Sequence, residues 1–121
     1  MHRERGVSGS VEWAMLTPLV LLAVLGTIQV GLGVHGRTVA SYAAIAAAEH
    51  ASLAGASVED ARALGHSVAE ASGLVGVSVD VSRDSEVARA VVGGTMPSFL
   101  DLGLTDVREQ ASRPVEQATA P

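Results

Sequence analysis

Three histidines beyond the extreme N-terminus, His35, His50 and His66, have the widest chemical repertoire in this chain. A histidine beside a carboxylate can move a proton, and several clustered with acids can hold zinc. His50 directly follows Glu49, but neighbouring residues on a helix point about 100° apart and do not share a ligand. His66 has Glu70 four residues on, which on a helix reads as a solvated pair, and His35 reads as a marker of a membrane interface. Without clustered ligands at zinc spacing, no metal site is expected. The serines sit in no nucleophile elbow and beside no candidate base. Gly93-Gly94-Thr95 is too short for a phosphate-cradling loop and reads as a turn. Glu59-Asp60 suits helix capping better than acid–base work. The chain has no cysteine, hence no thiolate nucleophile, disulfide or thiolate metal ligand. The expectation is no catalytic residue, no cofactor, no metal and no enzyme.

The composition narrows the partners. All eight basic residues are arginine, against thirteen acids and a net charge of −5. No basic stripe is present, and Trp13, Tyr42 and Phe99 are the whole aromatic complement, so nucleic acid is not an expected partner. Apolar residues make up 48% of the chain and are mainly Ala, Val and Leu. Such residues serve helices that pack closely or sit in lipid. The 121 residues leave room for one domain, and whatever follows the apolar N-terminal third is near the lower limit of independent stability.

The dominant element is an uncharged run from Trp13 to Val34, WAMLTPLVLLAVLGTIQVGLGV. As a helix it spans about 33 Å, enough for a hydrocarbon core of about 30 Å. It reads as a single transmembrane helix. Thr17 and Thr27 can return their hydroxyls to the backbone, and Gln29 can bond a neighbouring helix. Pro18 lies about one turn inside, where it loosens or kinks the first part. Gly26, Gly31 and Gly33 permit close helix approach or local flexibility. Arg3 and Arg5 precede the span and Arg37 alone closely follows it. The positive-inside rule then places the N-terminus in the cytoplasm and the rest outside. The rival reading is a cleaved secretory signal, cut near Val34-His35-Gly36; the long apolar run and Glu12 at its entrance speak against it.

Beyond the span, Gly31, Gly33 and Gly36 weaken the helix, and an Ala-rich helix resumes over residues 38–53 until Gly55. Ser57 then reads as an N-cap, with Glu59 and Asp60 in the first turn. Ala61, Leu64, Val68 and Ala71 mark one apolar face of this second helix, which Ser72-Gly73 ends, with Gly73 as C-cap. Val75, Val77, Val79 and Val81 alternate with small or polar residues, the mark of a half-buried strand. Ser82–Ser85 turns the chain into a second strand over 86–94, which Gly93, Gly94 and Pro97 break. Phe99, Leu100, Leu102 and Leu104 form an apolar loop, 105–112 a third strand, and Pro114 onward a frayed tail. The expected class is α+β: a long N-terminal helix, a second short helix and a small antiparallel sheet of about three strands.

The stretch Arg5-Gly6-Val7-Ser8-Gly9-Ser10-Val11-Glu12-Trp13-Ala14, followed by Leu16-Thr17-Pro18 and the apolar run, resembles the start of TadE-like proteins. These are pilin-like or minor-pilin proteins of tight-adherence (Flp-type) pilus systems. The Ala-rich helix, the Ser57–Asp60 helix start, the Val75–Val81 strand and the closing Ala111-Ser112-Arg113-Pro114-Val115-Glu116 add to the likeness. The resemblance implies pilus or envelope-appendage assembly and adhesion, with other pilin-like subunits bound through the N-terminal helix. It also implies cleavage after Gly6 by a prepilin peptidase, so that Val7 becomes the new N-terminus. Glu12 would then pair with a neighbouring subunit's amine. Cutting after Gly6 makes Glu12 the sixth residue of the mature chain where the pilin pattern has the fifth, and cutting after Gly9 makes it the third. Glu12 reads equally well as an acid favoured in the first turn after a Ser10 cap.

The expected organisation is a cytoplasmic leader-like segment over 1–12, a transmembrane helix over 13–34, an extracytoplasmic domain over 35–116 and a disordered tail over 117–121. The leading expectation is a membrane-anchored, TadE-like structural component whose partners are lipid and pilus subunits. The alternatives are a single-pass envelope scaffold or signalling protein unrelated to pili, and a secreted small binding domain.

Overall fold

The computed structural model describes the backbone of residues 2–98 and 105–116, and side-chain surroundings from Gly9 onward. The elements run α1 (His2–Ser52), α2 (Val58–Ala71), β1 (Val75–Arg83), β2 (Val87–Thr95) and β3 (Asp106–Pro114). The three strands form one antiparallel meander in the order β1-β2-β3. The class is therefore the expected mixed α+β, with a long N-terminal apolar helix, a short second helix and a three-stranded antiparallel sheet.

The 51 residues of α1 form one uninterrupted helix. The expected weakening at Gly31, Gly33 and Gly36 does not occur, because Gly33 and Gly36 are buried against the rest of the fold. A Cβ at Gly36 would stand 3.2 Å from Met96 Cβ and 3.3 Å from Val107 Cγ1. Glycine lets the sheet close onto the helix there, and that packing offsets its cost of about 1 kcal/mol in helix propensity. Further along, Ala40, Ala43, Ala44, Ala47, Ala48 and Ala51 are all at most 1% exposed. They recur at three- and four-residue spacing, which forms one face of a helix. This alanine face is covered by α2, β2 and β3. Its short side chains set a short distance between the layers, and the partner surfaces are correspondingly small: Ala88, Ala90 and Val92 from β2, and Val79 and Val81 from β1.

The start of α2 is where capping chemistry puts it. Ser57 has extended backbone, and its hydroxyl accepts from the Glu59 and Asp60 amides at 3.1 and 3.3 Å, which satisfies two amides that the helix leaves without partners. At the other end Ser72 is the C-cap, and Gly73 follows at φ +106°. The Gly73 amide donates to Glu70 O and the Leu74 amide to Ala69 O, both at 3.1 Å. That pair of bonds is the Schellman closure, which needs a left-handed residue one position past the cap. The buried stripe of α2 differs from the expected one. Ala61, Gly65 and Ala69 face inward, Val68 is half-buried, and Leu64 and Ala71 are exposed. The reason is distance: a Cβ on Gly65 would lie 3.0 Å from Ala47 Cβ and 3.2 Å from Val79 Cγ1, so the larger side chains turn outward.

The valine alternation of β1 buries Val79 and Val81 and half-buries Val77, while Val75 stays exposed at the strand's end. Gly93 and Gly94, expected to break the second strand, lie inside β2: Gly93 pairs with Ser78 and Arg108, Gly94 with Val107 on β3, and both neighbours are still paired at Thr95. The register slips between Val75 and Ser78, a bulge-like irregularity that crowds this corner. A Cβ on Gly94 would come within 3.2 Å of Val75 O, and one on Gly93 within 3.1 Å of Ser78 Oγ. The glycines thus admit the close approach rather than ending the strand.

The C-terminal end is also better fixed than expected. β3 runs to Pro114, the Val115 amide donates to Glu86 O at 2.8 Å, and the Glu116 amide to Ser52 O at 2.7 Å. Arg83 donates from Nη1 to Leu53 O and Ala56 O at 3.0 and 3.2 Å, tying the α1–α2 connection to the end of β1. The apolar-loop residues Phe99, Leu100, Leu102 and Leu104, and the tail over 117–121, lie outside the described residues.

Candidate functional site: the bare apolar helix and its junction with the head

Every residue from Ser10 to Ile28 on α1 is exposed. The large side chains Trp13, Met15, Leu16, Leu19, Val20, Leu21, Leu22, Val24 and Leu25 have no cover from the rest of the chain. Soluble monomers rarely leave so large a continuous apolar surface in water. Each apolar Å² left wet forgoes about 25 cal/mol, so this surface calls for an apolar surrounding. Among the described residues, Gly9–Ser52 is the one helix long and apolar enough to cross a membrane by length and composition.

The polar groups within it are dealt with locally. Thr17 donates its hydroxyl to Trp13 O at 2.7 Å and Thr27 to Ala23 O at 2.8 Å, as their type and spacing led one to expect. Pro18 sits inside the helix and removes one amide donor from the ladder, directly after Thr17, whose hydroxyl bonds back to Trp13 O. Glu12 is exposed near the start of the run, and Gly6 and Val7 fall in the first turns of α1.

Gln29, read from the sequence as able to bond a neighbouring helix, is enclosed by its own chain. It is 2% exposed, and its Nε2 donates to Ser98 Oγ at 3.2 Å, so its described partner belongs to the same chain. The head therefore reaches down α1 as far as Gln29, on the face continued by Gly33, Gly36 and Ala40. On the flank beside that stripe Val30 and Val34 remain exposed. The spacing 29, 33, 36, 40 is a helical stripe of small or polar residues within an apolar run. That stripe is the trace by which the junction could have been found, although Ser98 itself carries no local signal.

The histidines are not brought together. His66 Nδ1 lies 3.2 Å from Glu70 Oε1 on the surface of α2, a contact that becomes an ion pair only when the imidazole is protonated. His35 is exposed and His50 half-buried on α1, and Glu49 pairs loosely with Arg113 at 3.7 Å. No group of three or more potential metal ligands occurs among the described residues.

A single bare apolar helix running without a joint into a small α+β head defines a class of protein whose N-terminal helix is available as a membrane anchor. Residues 8–49 match the family model described as TadE-like protein, so over the bare helix and most of the alanine face the chain is similar to that family, as its N-terminal residues led one to expect. No curated protein and no solved structure matches the chain.

Proposed function

We propose that this protein is a membrane-anchored structural component of a pilus or related envelope appendage, acting through packing and not through catalysis. In this reading residues 13–34 cross the bilayer with the N-terminus on the cytoplasmic side and the head outside. The helix joins other pilin-like subunits, while the head presents surface for assembly and adhesion. The observation that carries it is the bare apolar helix within a segment that matches the TadE-like family. The asymmetry of Arg3 and Arg5 before the helix against Arg37 after it supports the orientation. A minor-pilin role adds processing by a prepilin peptidase after Gly6 and an assembly contact at Glu12, whose carboxylate at the lipid edge calls for a partner.

The secreted alternative gains no support from the geometry. A cut near Val34-His35-Gly36 would fall inside a continuous helix, at a glycine packed against Met96 and Val107, and would detach Gln29 from the head.

The test is the mature N-terminus of protein taken from membranes and from sheared surface material, read by intact mass and terminal sequencing. A chain beginning at Val7, present in the sheared fraction, is the expected result. A chain still beginning at Met1 and confined to membranes would remove the pilin-type mechanism and leave an uncleaved anchor.

A further inference from the structure

Immediately above the apolar run, α1 and β3 enclose an open cleft of about 400 Å³ lined by Arg37, Thr38, Ser41, Tyr42 and Glu109. A second, smaller hollow of about 150 Å³, lined by Val30, Gly33, Val34 and again Arg37, continues it down the helix. The upper cleft is polar, with one cation, one anion and three hydroxyl-bearing side chains. The lower hollow is apolar apart from Arg37. A polar head joined to an apolar tail is the shape these two sites would accept together.

We propose that this surface binds one membrane phospholipid, with its phosphate on Arg37 and a primary ammonium on Glu109. The inference rests on the reading of α1 as a membrane anchor. Depth supports it. Arg37 stands three residues past Val34, about 4.5 Å further along the axis, and Tyr42 about 7.5 Å beyond that. The headgroup layer occupies about 5–7 Å beyond each face of the hydrocarbon core. Arg37 thus lies within that layer, and Tyr42 stands about 5 Å above it, within reach of a headgroup for its side chain.

Charge decides the class of headgroup. Arg37 is exposed and Glu109 half-buried, and the ion pairs among the described residues join neither of them to another group. The guanidinium offers a planar fork that fits two phosphate oxygens. Glu109 would repel a purely anionic headgroup and attract one that carries an ammonium. A primary ammonium can donate to the carboxylate, whereas a trimethylated one cannot, and the ring of Tyr42 offers a face to the same cation. Thr38 directs its hydroxyl hydrogen to Val34 O at 3.1 Å, which leaves its oxygen as an acceptor toward the cleft. The fit is therefore to an aminoethyl phosphate headgroup, with an acyl chain lying along Val30 and Val34.

The full-length protein would be reconstituted in vesicles of equal parts phosphatidylethanolamine, phosphatidylcholine and phosphatidylglycerol. It would then be released in mild detergent, and the retained lipid counted by native mass spectrometry. Phosphatidylethanolamine should be retained about tenfold over either competitor, the ratio expected of one charge-assisted contact. Arg37→Gln should lose retention of all phosphate lipids. Glu109→Gln should lose the preference for phosphatidylethanolamine and gain phosphatidylglycerol, and Arg62→Gln, on α2, should change nothing. Circular dichroism checks that each variant keeps its fold. Equal retention of the three lipids, insensitivity to Arg37→Gln and Glu109→Gln, or full displacement by soluble phosphoethanolamine would each overturn the proposal. Resistance to carbonate washing is read in parallel. A protein that stays in the membrane but shows no lipid preference loses only this site, whereas one that washes off loses the anchor as well.

Discussion

Asp84 shows how much local order one short side chain can set. Its Oδ1 accepts from the Glu86 and Val87 amides, each at 2.7 Å, while its own amide donates to Val87 O at 3.0 Å. These bonds close the β1–β2 turn in the manner of an Asx turn. The amides of Val87 and Glu86, with a smaller contribution from Arg89, hold the carboxyl below its ordinary value of 3.8. A depressed carboxyl stabilises the fold above its unfolded pKa, and that contribution fades as pH falls through the folded value. Stability measured by urea unfolding should therefore decline below about pH 4, and Asp84→Asn, which keeps the acceptor oxygen but not the charge, should flatten that decline. An unchanged acid profile in the variant would mean that other carboxylates carry it. The turn was legible as a turn, because Ser82–Ser85 interrupts the valine alternation. The role of Asp84 within it was not, since several small polar residues there could have closed the chain. Gln29 was legible only as a polar residue needing a partner; Ser98, 69 positions away, was beyond any local pattern.

The elements divide in the same way. Ser57 as N-cap, Gly73 at the end of α2 and the strand of alternating valines were all readable, because caps and period-two alternation are local physics. The buried face of α2 was not. A hydrophobicity pattern favours Leu64 over Gly65, yet the alanine face of α1 lies so close that only Ala61, Gly65 and Ala69 fit beneath. Gly93 and Gly94 misled for a related reason: their role is set by the Leu74–Ser78 corner alongside. Gly65→Leu is the direct test of this close packing. Overpacking of this kind costs about 1–3 kcal/mol, so the variant's unfolding midpoint should fall clearly. Leu64→Ala, at a side chain 38% exposed, should cost much less. Equal losses at both positions would show that the crossing of α1 and α2 has slack.

Across the whole molecule, one helix belongs to two environments. Residues 10–28 are bare, whereas 29–52 supply the face on which the sheet and α2 are built. A chain beginning at Ile28 keeps that face and is expected to fold as a soluble head with native-like circular dichroism and cooperative melting. A chain beginning at Thr38 loses the contacts at Gln29, Gly33 and Gly36 and should melt lower. If the two melted alike, the lower junction would contribute nothing to the head. With little aromatic content and a core of alanine and valine, the head has a small reserve of stability, so these losses should be easy to measure.

The absence of any joint in α1 makes the protein a drive shaft. A turn or a pull applied to the bare end is carried to the head along the helix, since between Gly9 and Ser52 there is no loop to absorb it. One residue inserted between Leu21 and Leu25 would swing the head by about 100° around the helix axis and lift it by about 1.5 Å. The compass bearing of every surface on the head is thus written into the length of the helix below it.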